Sequence, residues 1–197
     1  MSTNSFFLFG SLAEGMCLFQ KIKTFVSSCE KATFTGSAYR LKLGFPVLSK
    51  EGSDQIEGHL VECPGSDMIV NLFDELMGYN PQNLEKSLNL RETIQIDTEM
   101  GKKEAFAYFL NPNKFSAQVK YIENGDWKKS VTEAPPIPMR LSEKQKTYIQ
   151  KLGQCSGRDI VPIDLSLYRE LMNLELVIDK GRRIALTKLG QEVYRHI

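Results

Sequence analysis

Phe6-Phe7-Leu8-Phe9-Gly10-Ser11-Leu12 is the stretch on which the reading of this chain turns. A short run of large apolar residues suits a buried strand, and it breaks at a Gly-Ser pair. Gly10 allows the backbone to turn tightly and to approach a ligand closely. Amides that follow such a strand can face one point, as an anion or oxyanion hole requires. The competing reading of Gly10-Ser11 is a tight turn with a capping hydroxyl, and the residues alone leave both open.

Working outward, 197 residues suit one large domain or one domain with a small appendage. A hydrophobic content of 42% supports a packed core and argues against disorder. A net charge of +1 advertises neither nucleic acid nor a membrane surface. No apolar run approaches the roughly 18 residues of a spanning helix. A strand so near the start leaves little room for a targeting peptide, so a cytoplasmic protein is expected. Cys17, Cys29, Cys63 and Cys155 form no CxxC pair, and reduced, mostly buried thiols are expected. His59 and His196 are the only histidines, which disfavours a histidine triad or a multi-histidine metal site. Acid-base chemistry would then fall to a carboxylate.

Strands are expected at Phe6–Phe9, Ala32–Leu43, Ile56–Cys63, Glu92–Ile96 and Ala105–Leu110. The Ile56–Cys63 segment alternates only roughly, which suits burial on both faces. A helix is expected over Gly15–Ser27, with Met16, Phe19, Ile22 and Val26 on one face. A second is expected over Gly65–Met77, with Met68, Val70, Leu72, Phe73 and Leu76 as its apolar stripe and Gly78 as its stop. Gly44-Phe45-Pro46, Asn111-Pro112-Asn113 and Asn124-Gly125 mark turns. Pro135, Pro136 and Pro138 predict an extended linker over residues 133–140, between a domain at 1–132 and an extension at 141–197.

Gly10 and Gly15 have the spacing of a phosphate-binding loop, but Met16 and Cys17 stand where that loop needs Lys and Ser or Thr. Nucleotide binding by that route is rejected. Phe9-Gly10-Ser11-Leu12 instead resembles the Tyr-Gly-Ser/Thr-Leu signature of the γ-glutamylcyclotransferase-like family. Further matches follow in order. Gly36-Ser37-Ala38-Tyr39-Arg40-Leu41 and Phe45-Pro46-Val47-Leu48 are similar to its Gly-x-Leu-Tyr and Tyr-Pro-Ala segments. Ile56-Glu57-Gly58-His59-Leu60-Val61 is similar to its Val-x-Gly-Glu-Val strand. Leu72-Phe73-Asp74 and Ala105-Phe106-Ala107-Tyr108 complete the set, which covers about residues 5 to 112.

The resemblance implies an α+β fold, a small mixed β-barrel with helices packed around it. It also implies release of 5-oxoproline from γ-glutamyl amines or peptides, with no metal or cofactor. The substrate's own amine attacks its γ-carbonyl, the Gly-Ser-Leu backbone holds the substrate, and one Glu moves the protons. A tethered amine, oriented amides and a tuned carboxylate are sufficient for that chemistry. On this resemblance Phe9, Gly10, Ser11, Leu12 and Met77 are the substrate-binding positions.

The departures decide the reading. The family writes Leu-Asp-x-x-Glu-Gly, and this chain has Phe73-Asp74-Glu75-Leu76-Met77-Gly78. Met77 stands at the catalytic Glu position and cannot carry a proton. Phe9 lacks the family's hydroxyl, and Asn89 stands where a Tyr precedes Arg91 by two residues. Glu75 is the nearest substitute, but two residues along a helix turn it roughly 200° from position 77. Asp74 and Glu75 read most simply as solvated helix charges. The favoured reading is therefore a degenerate site on a retained fold, a non-catalytic module for a small carboxylate or γ-glutamyl ligand or for a protein. The alternative is an active cyclotransferase that uses Glu75 or another carboxylate.

Past the linker, Ser142-Glu143-Lys144-Gln145 is a capping box that opens a helix closed by Gly153. Asp164 caps a second helix with Leu165, Tyr168, Leu171 and Met172 at helical spacing. Leu174–Ile178 and Arg183–Leu186 flank Asp179-Lys180-Gly181-Arg182 as a hairpin, and Thr187 opens a last helix. The order resembles part of a winged-helix module. The basic excess is mild and Arg169 is the sole basic residue between Leu165 and Asn173, so docking onto protein is expected before nucleic acid.

Overall fold

The computed structural model describes residues 3–16, 18–115, 119–155 and 159–197. The chain divides into two compact units, Met1–Glu133 and Ala134–Ile197.

In the first unit, strands β1 (Thr3–Leu8), β2 (Ser28–Arg40), β3 (Pro46–Pro64), β4 (Asn89–Thr98) and β5 (Gly101–Leu110) wrap into a closed ring. Antiparallel pairings join β1 to β3, β3 to β2, β2 to β4 and β4 to β5. The ring closes where β5 runs parallel to β1 at Phe6 and Phe106. A short β6 (Lys120–Ile122) extends β2 at Ala38–Arg40. Between Gly36 and Ser37 the β2–β3 register shifts, and β3 carries an excursion on its side of the pairing. Such an irregularity lets a long strand bend around a barrel corner.

Alternation along each strand makes two cores. Phe7, Phe34, Ile56, Leu60, Ala107 and Phe109 fill the barrel interior with Trp127. Phe6, Leu8, Val61, Cys63 and Tyr108 face outward against α1 (Asp67–Met77). The expected strand at residues 6–9 is therefore buried on both faces. The Ile56–Cys63 segment is buried at Leu60, Val61 and Cys63, whereas Glu57 is exposed.

Helix α1 starts at Ser66, whose hydroxyl accepts from the Met68 amide, and stops at Gly78 with φ of 65°. It buries Ile69 and Phe73, and the Phe73 ring stacks on Phe6 at 4.0 Å. Met68, expected in the apolar stripe, is exposed.

The expected Gly15–Ser27 helix is corrected to two 3₁₀ turns, Phe19–Lys21 and Lys23–Phe25. Thr24 and Val26 are β-branched and weaken an α-helix. A three-residue period still carries Phe19 and Ile22 into the outer core. The 133–140 segment is extended only in part. After Pro136, Ile137–Arg140 forms one helical turn (α3) with Pro138 in its first turn, where a missing amide hydrogen costs nothing. Just before it, Trp127–Glu133 forms α2.

The second unit contains α4 (Glu143–Gln154), α5 (Leu165–Asn173), the hairpin β7 (Val177–Asp179) and β8 (Ile184–Leu186), and α6 (Lys188–Tyr194). Ser142 and Gln145 complete the capping box, and Asp164 and Thr187 cap their helices. No helix among the described residues is long and apolar enough to cross a membrane.

Candidate functional site

Strand β1 ends at Leu8, Phe9 continues in extended geometry, and Gly10 then takes φ of 68° to start a 3₁₀ turn over Gly10–Leu12. A side chain at Gly10 would place its Cβ 2.1 Å from Pro46 Cγ. The close approach that Gly10 permits is thus to the Pro46 ring, at the start of β3. The Ser11 carbonyl accepts from the Leu18 amide at 2.9 Å, which ties this turn to the segment that follows. Ser11 itself is buried, and its Oγ has no hydrogen-bond partner.

Beside this turn lies a recess of only about 20 Å³. Phe9, Leu12 and Met77 line it, three of the positions the sequence singles out. Pro46, Val47, Leu48, Phe7 and Leu8 supply the rest of its apolar wall, and Tyr108 lines it as well. Space of this size holds about one water molecule. Gly10 and Ser11 are not on its lining, and neither is Glu75, which is exposed on α1.

The polar chemistry sits just behind the recess. Asp74 on α1 is 5% exposed, so it is not the solvated helix charge that its sequence neighbourhood suggests. Arg91 on β4 donates one nitrogen, Nη1, to both its oxygens, at 2.9 and 2.8 Å. The Tyr108 hydroxyl on β5 donates to Asp74 Oδ1 at 2.8 Å. Arg91 also lies over the rings of Tyr79 and Phe106, 5.3 and 5.1 Å from their centroids. Burial, and then the bond to the Asp74 carboxylate, push the Tyr108 phenol far above its usual range. At neutral pH it neither gives up nor passes on a proton. Asn89, at the position of the family's missing Tyr, donates to the Met77 carbonyl at 2.7 Å and holds the end of α1.

Sequence reasoning missed Tyr108 and Pro46 as lining residues, and Asp74 as the centre of a buried ion pair. The Leu72-Phe73-Asp74 match carried a signal for Asp74, because a charge next to a fully buried Phe73 sits at the edge of the helix's inner face.

A second polar group lies at the other end of the Gly10 turn. Glu14 Oε2 is 3.8 Å from both His59 Nε2 and Cys29 Sγ. Burial first, and then the Glu14 charge, push the Cys29 thiol up to about 11, so it stays protonated. Burial lowers the His59 pKa against the opposing pull of Glu14. Of the described cysteines only Cys63 is buried, while Cys29 and Cys155 are half-buried; Cys17 lies outside the described residues. No cluster of His, Cys, Asp and Glu suited to a metal occurs among the described residues.

Solved structures share this fold, three of them as follows. YkqA of Bacillus subtilis is 20% identical over 68% of this chain and 42% of its own, with a TM-score of 0.50. An AIG2-like protein of Mus musculus is 14% identical over 62% of this chain and 88% of its own, with a TM-score of 0.50. An Arabidopsis thaliana protein is 18% identical over 84% of this chain and 95% of its own, also at 0.50. This chain thus spans less than half the length of YkqA. No curated protein sequence matches. The family described as gamma-glutamyl cyclotransferase, AIG2-like, matches residues 6–129, more than half of the sequence, and the chain belongs to that family.

Proposed function

We propose that this chain is a non-catalytic member of its family, a cyclotransferase fold retained as a binding module. One observation carries the reading. Among the described residues, the only ionisable side chain lining the recess is Tyr108, and its hydroxyl is committed to Asp74 with a raised pKa. Cyclisation of a γ-glutamyl group needs a carrier that accepts a proton from the attacking amine and delivers one to the leaving group. Met77 occupies the position from which a carboxylate would do so. The size of the recess supports the same conclusion, because a γ-glutamyl group does not fit in space for one water. A small carboxylate could enter only if Met77, a flexible side chain, swings aside.

Release of 5-oxoproline from glutathione, γ-glutamyl amino acids and γ-glutamyl-lysine tests this, with wild type beside Met77→Glu. Neither protein is expected to turn over. Turnover by Met77→Glu alone would mean that only the proton carrier is missing and that the recess opens to the γ-glutamyl group. Any turnover by wild type would overturn the proposal in favour of an active cyclotransferase, with Glu75→Gln deciding whether Glu75 or another carboxylate carries the proton.

A further inference from the structure

The second unit contains a cavity of about 430 Å³. It opens between the end of α4, strand β8 and helix α6, and it falls within the range of small-ligand sites. Its walls come from α4, β8 and α6 and from the turn between β7 and β8, which carries Lys180 and Arg183. Helices α4 and α6 approach closely at Gly153, where an added Cβ would lie 2.5 Å from the Tyr194 ring. Replacing Gly153 would therefore force the wall apart, and the small residue fixes the shape of the cavity.

Two kinds of side chain meet on this lining. Ile184, Leu186 and Tyr194 are half-buried and give an apolar and aromatic surface. Lys180, Arg183 and Arg195 supply three cations. None of the three makes a side-chain ion pair or hydrogen bond among the described residues, although exposed acids elsewhere in this unit are paired, as Asp164 is with Lys144. Asp159 is the one carboxylate on the described lining, so the positive charge is in excess. Unpaired like charges around one concave space repel each other, and an anion placed among them relieves the repulsion. Arg183, the half-buried one, contributes most there because water screens it least.

We propose that this cavity is a binding site for a small organic anion. The anionic head, carboxylate or phosphate, faces Arg183, Arg195 and Lys180, and an apolar or aromatic body lies along Ile184, Leu186 and Tyr194. The proposal is independent of the barrel recess and of whether the barrel has activity.

Isothermal titration of the full chain with phenyl phosphate, benzoate, inorganic phosphate and phenol tests it. At least one of phenyl phosphate and benzoate is expected to bind at one site per chain, and which binds more tightly identifies the head group. Phosphate and phenol, each lacking half the recognition, are expected to bind more weakly. Each of Arg183→Ala and Arg195→Ala should weaken binding about tenfold, as lost charge-assisted hydrogen bonds do. Ala185→Phe, which fills the cavity and leaves all three cations in place, should abolish binding, with circular dichroism confirming the fold. The proposal fails if neither organic anion binds at millimolar concentration. It also fails if binding survives both arginine substitutions and the filled cavity, or if inorganic phosphate binds as tightly as phenyl phosphate.

Discussion

The recess beside Gly10 and the ion pair behind it share Tyr108 and are otherwise opposite in chemistry. The recess is apolar, nearly filled and without a titrating group. The ion pair is buried, fully engaged and polar, with Asp74 held by Arg91 and Tyr108. The difference separates two reasons for a charged residue to persist in a fold. A catalytic carboxylate must be partly free, because its proton has to move, so little packing opposes its loss, and on the proposed reading Met77 stands in its place. Asp74 holds three elements, α1, β4 and β5, to one another. Its loss would leave a cation and a hydroxyl without their acceptor, which is costly in a low-dielectric setting.

The largest effect expected from this contrast is on stability, at the polar side. Asp74→Ala should cost about 3 kcal/mol, at the lower end for a broken buried pair because Arg91 is 23% exposed. The midpoint of urea unfolding measures it. A loss below about 1 kcal/mol would place Asp74 with ordinary surface pairs and erase the contrast. Replacing Met77 by Leu, by comparison, keeps the volume of an apolar wall and should leave the midpoint nearly unchanged.

The next effect falls on the recess. Gly10→Ala sets an L side chain at φ of 68° and drives its Cβ into Pro46, 2.1 Å from Cγ. Strain of the left-handed backbone and the forced shift together should cost about 2–3 kcal/mol. Pro46→Ala in the same chain removes the Cγ and should recover the steric part but not the backbone part. Full recovery would mean that the left-handed turn carries no strain. No recovery would mean that the whole cost is backbone strain and that the Pro46 ring gives way.

These two regions were not equally legible in the sequence. The Phe6–Phe9 run, the Ser142 capping box, the Asp164 cap and the Asp179–Arg182 hairpin are local signals, and each appears where the residues indicate. Met77, at the position where the family resemblance expects the catalytic Glu, was visible in the residues themselves, and the proposed loss of a proton carrier rests on it. What escaped depends on contacts between distant segments. Barrel closure rests on Phe6 beside Phe106, and the packing of the Gly10 turn rests on Pro46, which also lines the recess. The role of Asp74 depends on Arg91 and Tyr108 arriving from two other elements, and the Leu72-Phe73-Asp74 match marks the residue without naming either partner. The Gly15–Ser27 segment failed differently. Its apolar positions suit a helix, but the spacing of Phe19, Ile22 and Phe25 fits a three-residue period equally well, and the β-branched residues tip it to 3₁₀.

Tyr108 belongs to both regions, so removing its hydroxyl sharpens the comparison most finely. Tyr108→Phe keeps the ring that lines the recess and deletes only the donor to Asp74. The cost should be about 1–2 kcal/mol at neutral pH, that of one hydrogen bond to a charged acceptor, with no change in how the recess is filled. The alkaline limb isolates the cause. The folded-state pKa of Tyr108 is raised above the value of about 10 that an unfolded tyrosine has, so the unfolded chain loses this proton first. The stabilisation is complete below pH about 10 and declines as pH rises toward the folded-state value. Wild type should therefore lose stability above pH 10 more steeply than Tyr108→Phe does. Cys29 and Cys63, both pushed up to about 11, and Tyr121 and Tyr148, whose pKa values are raised as well, contribute to the slope that remains in the variant. Equal slopes in the two proteins would mean that Tyr108 ionises as freely as an exposed phenol. The recess would then have a titrating group on its wall, and the sharp division between an inert recess and a committed ion pair would not hold.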